Sequence, residues 1–366
     1  MGDLFGLVEE YADFGEHRTG TASQARTADW LADQLGSRGG AVRLEPLAFE
    51  RYTADWSVTI DGDEVEALPL FYEAVGSAAS DDPVRWPAFD PPGAGPLGTT
   101  GALEDAQPGV LAVAATRNLL GLLAVSNRTP VLGSGQPVLQ VAGHHGEALA
   151  GGATVRARLD ARIEPATCPN VIAEFGDVAG AQRLVIVTTP ISGWFRCAGE
   201  RGTGIAVALE VAERLAAETP VLFLGATGHE LGGLGGVAFQ RAHAGRVHTL
   251  LHVGANVGCD WPATDTLAAP NHAFMRARVI STTRRTRDVA APFERLGSGI
   301  DEPGRDRSKW FGEAAEWLDA PQLLSFLGQN PWFHAPQDTP DVSCTAERTA
   351  AVAGAFTESA LALVRR

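Results

Sequence analysis

The residues suited to chemistry collect in four short stretches of the second half of the chain. These are PISGWFRCAGERGTG from Pro190, GHELGG from Gly228, GANVGCDW from Gly254 and NPWFHAPQDTPD from Asn330. Together they offer Cys197, Glu200, His229, Glu230 and His334, types that serve nucleophilic, acid–base or metal chemistry. Singly, each is as ordinary as a solvated loop carboxylate or a packed histidine. Their combination carries the expectation of a site. Cys197 stands ahead of a helix whose N-terminus would lower a thiol pKa, which makes it a candidate nucleophile with His229 or His334 as partner. Ser192 is a weaker one.

The elements around these stretches explain why they should meet. RLVIVTT, TPVLFLGAT and TLLHVGANVG read as strands, the first apolar throughout and so buried on both faces. Between the first two lies TGIAVALEVAERLAAE, a helix with Ile205, Leu209, Ala212 and Leu215 on one stripe. NVIAEF is a further strand, and TAERTAAVAGAFTESALALV a terminal helix. This alternation predicts an α/β fold with a three-layer, mostly parallel but mixed sheet, whose ligands sit beyond the carboxyl ends of its strands. All four stretches follow such a strand or precede a helix. Near the N-terminus, Leu4, Leu7, Val8 and Tyr11 mark one helix, and Trp30, Leu31 and Leu35 another. AVRLEPLAFERYTADWSVTIDGDEVEALPL suggests strands with a hairpin at its DGD turn. The block from 64 to 165 is rich in Pro and Gly, with short runs such as VLAVAA and QPVLQVAG. It predicts an inserted β-rich domain at 64–165 within an α/β domain made of 1–63 and 166–366.

Composition removes other classes. The chain has 366 residues and a net charge of −15, which disfavours nucleic acid and anionic membranes as partners. Lys309 is the only lysine, and no phosphate-cradling GxxxxGK[ST] loop occurs. Four cysteines without short paired spacing indicate neither a zinc ribbon nor a disulfide scaffold. No apolar run is long enough to span a membrane, and the N-terminus is acidic where a signal peptide is basic. A cytoplasmic location is expected.

Read in order, HRTGTASQARTADWLADQL, PVLQVAGHHGEALAGGATVRARL, NVIAEF, GTGIAVALEVAERL, GHELGGLGG and FHAPQDTPD resemble successive motifs of the zinc-dependent aminopeptidases. That family includes glutamate carboxypeptidase II, and the subgroup in question carries an inserted protease-associated domain. The resemblance implies a peptidase-like hydrolase of an amide, peptide or related acyl bond. It also implies departures. Pro190 and Ser192 stand at the first loop's His and Asp, Glu200 at the bridging Asp, His229-Glu230 at the paired Glu-Glu, and Ala255 at the Asp after the next strand. His334 matches the final ligand. Pro190 and Ala255 offer no lone pair, so one metal of the usual pair should be lost. The other would be held by Glu200, Glu230 and His334, with an open place for water. The implied cofactor is therefore one zinc ion at most, and an ion-free site is the alternative. His229 would act as the base, a role suited to an imidazole.

For recognition, Trp194, Phe195, Trp332 and Phe333 could wall a ligand, and Arg196 and Arg201 could grip its carboxylate. Asp338 and Asp341 could orient His334 or cap the terminal helix. The expected partner is a peptide or small-molecule substrate. Two other classes stay open: a metal-free enzyme of changed reaction type (cyclisation, lyase or Cys/His-based hydrolysis), and a binding protein without catalysis.

Overall fold

The computed structural model describes residues 3–89, 107–117, 120–125, 135–243, 245–260 and 275–365. Parts of the expected insert (90–106, 118–119 and 126–134) and Trp261 of the third stretch lie outside them. In chain order come α1 (Leu4–Asp13), α2 (Ala22–Ser37), β1 (Ala41–Ile60), β2 (Asp63–Val65), β3 (Ala67–Pro69), β4 (Gly76–Ser80), β5 (Val84–Phe89), β6 (Ala112–Thr116) and β7 (Val138–Val141). There follow α3 (Gly146–Ala150), β8 (Val155–Phe175), β9 (Leu184–Pro190), α4 (Thr203–Ala216), β10 (Val221–Ala226), α5 (Leu234–His243) and β11 (Val247–Val253). The chain continues with β12 (Arg276–Ile280), α6 (Thr286–Glu294), β13 (Gly299–Asp301), β14 (Gln322–Leu327), α7 (Pro340–Ser343) and α8 (Ala346–Val364).

Ten of these strands form one sheet, in the order β13-β12-β14-β11-β9-β10-β8-β1-β2, with β4 pairing β8 off that path. Its centre, β14-β11-β9-β10, is parallel, and β8 and β12 pair antiparallel on either side. The sheet is therefore mixed α/β, as the strand–helix alternation predicts. Side-chain alternation splits the core into two layers. Val185, Val187, Val221 and Phe223 face α1, α2, α4 and α8, whereas Ile186, Leu222 and Leu224 face Phe239 of α5 and Trp317. Each such buried Leu, Val or Phe contributes about 1.5–3 kcal/mol. The helix α4 departs from its expected single stripe. Every residue from Thr203 to Ala212 is buried, because α8, α1 and the sheet enclose it on all sides.

A separate four-stranded sheet, β3-β7-β6-β5, lies within the block of changed composition. The hairpin at Asp61-Gly62 also forms, pairing Ile60 with Asp63. The expected boundary at 165 falls inside β8, which runs without interruption from the small-sheet side into the main sheet. Among the described residues no helix is long and apolar enough to cross a membrane.

Candidate functional site

Four loops meet at the carboxyl ends of β9, β10, β11 and β14. After β9 the chain turns tightly through Phe195 and Cys197, at φ 58° and 28°, into a π-helical turn at Ala198–Gly202. After β10, Gly228 at φ 71° and Gly232 at φ 70° bracket the short turn His229–Leu231. Such backbone suits glycine, which has no Cβ to clash. Asn256 and His334 are also left-handed, at φ 61° each, so the loops of this site hold most of the positive-φ non-glycine residues described. Backbone of this kind persists only where packing over-determines it.

Glu200 is fully buried on the π-helical turn, and its Oε1 lies 2.7 Å from Arg201 Nη2 and 3.4 Å from His334 Nε2. Burial alone would raise its pKa, but the Arg201 guanidinium and then the His334 ring outweigh it and bring it down to about 2. These contacts are close without being aligned. Both Glu200 oxygens, Arg201 Nη2 and His334 Nε2 make no hydrogen bond among the described residues. Arg201 is anchored from behind, its Nε donating to the Ser192 carbonyl at 2.9 Å. His334 donates Nδ1–H to the carbonyl of Val125 at 3.1 Å, and Phe333 stacks on its ring.

Glu230 goes elsewhere. Ser192 Oγ donates to its Oε2 at 2.8 Å, the backbone N–H of Thr19 donates to its Oε1, and the His229 amide donates to Ser192 Oγ at 3.1 Å. The HRTG segment thus supplies an amide to this carboxylate, which is nearly inaccessible. The expected three-residue metal set therefore divides. Two of its members, Glu200 and His334, come together, while the third accepts hydrogen bonds from Ser192 and Thr19. Among the described residues no group of three or more His, Cys, Asp or Glu side chains could hold a metal ion. The donor set present does not fit zinc, since two donors remain and a guanidinium already lies against one of them.

His229 turns the other way from Glu230. It lines a cavity of about 690 Å³ shared with Pro190, Arg201, His252, Ala255 and Glu313. Its Nδ1 lies 3.2 Å from Glu313 Oε1 and donates to it, which leaves Nε2 as the acceptor. Burial pushes Glu313 up, but the hydrogen bond from His229, with the positive charge of Arg201 nearby, holds it below the usual carboxylate range. His252, buried with Nδ1 on Ser325 Oγ at 2.9 Å, is brought down to about 4 by burial. Sequence reasoning missed Glu313 and His252. Glu313 lies in GEAAEW, a stretch with no recognisable spacing.

Cys197 is a second correction. Burial pushes its thiol well above the ordinary value, with the charge of Glu200 adding to this, and its Sγ lies 3.2 Å from the Tyr11 hydroxyl. The turn it begins cannot offset that desolvation. All four cysteines are free and buried. Among the recognition residues, Arg196 pairs with Asp13 at 2.8 Å and donates to the Ala12 carbonyl, so it staples α1. Trp194 is buried against Phe71 and sits edge-on to His334, whereas Phe333 lines the cavity. Phe195 and Trp332 are half-buried. Asp338 does neither job expected of it. It accepts the amides of Gly199 and Glu200 at 2.9 and 3.0 Å, capping the π-helical turn, while Asp341 begins α7 at the surface.

The chain's fold is similar to that of several solved peptidases. BSAP, a zinc aminopeptidase from Bacillus subtilis, is 14% identical with a TM-score of 0.74, over all of this chain and 95% of that one. A peptidase M28 precursor from Shewanella amazonensis is 16% identical with a TM-score of 0.70, over 99% and 93%. An aminopeptidase from Aneurinibacillus sp. strain AM-1 is 17% identical with a TM-score of 0.64, also over 99% and 93%. At these identities the likeness is one of fold. No protein-family model and no curated protein matches the chain.

Proposed function

We propose that the chain is a peptidase-like hydrolase of an amide, peptide or related acyl bond that works without a metal ion, with His229 as its base. The observation that carries this reading is the His229–Glu313 pair on the cavity wall. Glu313 fixes the tautomer, so Nε2 presents a lone pair to whatever enters. A water molecule adding to a bound carbonyl carbon gives its proton to Nε2, and the imidazolium returns it to the departing nitrogen as the C–N bond breaks. Residues 64–165 are then an inserted domain of the protease-associated kind, resting on the site. Phe71 packs on Trp194, and Val125 exchanges backbone and ring hydrogen bonds with His334. The peptidase neighbours support a peptide-like substrate.

Turnover of a panel of aminoacyl nitroanilides and short peptides tests the reading. Hydrolysis should persist in chelator, fall about 10²-fold or more in His229→Ala, and fall roughly 10–100-fold in Glu313→Gln, as when a carboxylate behind a histidine is lost. Activity abolished by chelator, or untouched in His229→Ala, would overturn it. The second reading is ligand binding without turnover. It is favoured by Pro190 and Ala255 on the cavity wall, where neither side chain can polarise a carbonyl.

A further inference from the structure

We infer that Arg201 is the resident cation of this centre: its guanidinium holds the charge that a bound metal ion would otherwise supply to Glu200, and it keeps such an ion out. A carboxylate removed from water needs a counter-charge close by. For Glu200 that charge is Arg201, itself almost completely buried, at 2.7 Å. The arginine is built in rather than swung in. Its Nε is tied to the Ser192 carbonyl, and Gly193 leaves it room, since a Cβ there would lie 3.2 Å from Arg201 Cγ and 3.1 Å from Cys197 Sγ.

The surroundings agree. His334 brings Nε2 to 3.4 Å from the same Glu200 oxygen, while its Nδ1–H is committed to Val125. Two donors therefore converge, as they would on a divalent ion, but the guanidinium already lies beside one of them. An ion added there would face that positive charge at short range with little water to screen it. Glu230, the third member of the expected set, is held by Ser192 and Thr19. Arg201 also lines the cavity, beside His229 and Glu313. The inference concerns charge and metal exclusion, so it holds whether or not the cavity turns over substrate.

Zinc retention and thermal unfolding of the full chain test it independently of activity. Wild-type protein dialysed against zinc chloride should retain no zinc above the buffer, and its unfolding temperature should be the same with zinc or with chelator. Arg201→Ala should unfold at lower temperature, and zinc should restore part of that loss unless His334→Ala is added. The double variant Glu200→Gln/Arg201→Met should lie closer to wild type than either single change. If Arg201→Ala does not fold, Arg201→Lys decides: a folded protein indifferent to zinc supports the inference, and one that needs zinc to fold overturns it. It also falls if wild type retains one equivalent of zinc that Glu200→Gln loses, or if Arg201→Ala unfolds with wild type.

Discussion

His229 and Glu230 are neighbours in sequence, yet they belong to two differently built halves of the site. On the buried side, Glu230 and Glu200 have their partners inside the protein: Ser192 and the Thr19 amide for one, Arg201 for the other. On the cavity side, His229 is backed by Glu313 and keeps one ring nitrogen free. The difference teaches that a residue type suited to metal ligation need not have a ligand's surroundings. The buried carboxylates face donors inside the protein, whereas the side chain with an open face stands on the wall of the cavity.

That division can be broken by experiment. Glu200→Gln strands the Arg201 guanidinium without its counter-charge, and should cost about 3–5 kcal/mol in urea denaturation. His229→Ala should cost under about 1 kcal/mol. Equal losses would erase the distinction between the halves.

A pH series sharpens it. Burial holds His17 down to about 3 and His252 down to about 4, from 6.5. In acid the unfolded chain therefore takes up protons that the folded chain refuses, and both contributions, present above pH 6.5, are lost as pH falls through the folded values. Glu200, at about 2 against 4.5, adds a contribution present above 4.5 and lost as pH falls through 2. Asp338 works in reverse. Raised by burial to about 6 from 3.8, it stabilises fully below 3.8 and loses this as pH rises through 6. Between pH 7 and pH 4 the two histidines outweigh Asp338, so the urea midpoint should drop there, and His17→Gln should flatten the slope. A constant midpoint would contradict this balance.

The smallest effect is expected at Cys197→Ala. Turnover should stay within about two-fold and stability should fall by on the order of 1 kcal/mol, the loss of a small buried group. A large drop in turnover would restore the thiol as a nucleophile.

The sheet was legible because its signals are local. Apolar runs such as RLVIVTT and VLFLGAT, and the small-residue start of α4, specify buried parallel strands and a packed helix without reference to the rest of the chain. The meeting of four loops at one end of the sheet followed from that topology. Side-chain direction did not. Whether Glu230 points at His334 or at Ser192 depends on Thr19, more than 200 positions away. Arg201 read as a substrate-binding cation because its burial comes from packing that spacing does not encode. The lowered thiol considered at Cys197 rests on the helix end, and desolvation dominates at so deeply buried a position.

The long ladder between β1 and β8 runs unbroken through twenty residue pairs, from Ala41 with Glu174 to Ile60 with Val155. The strands that flank the small sheet in sequence are thus one hydrogen-bonded ribbon continuous with the main sheet. Ribbon and site meet at β10, which pairs with the far end of β8 and leads into the GHELGG turn.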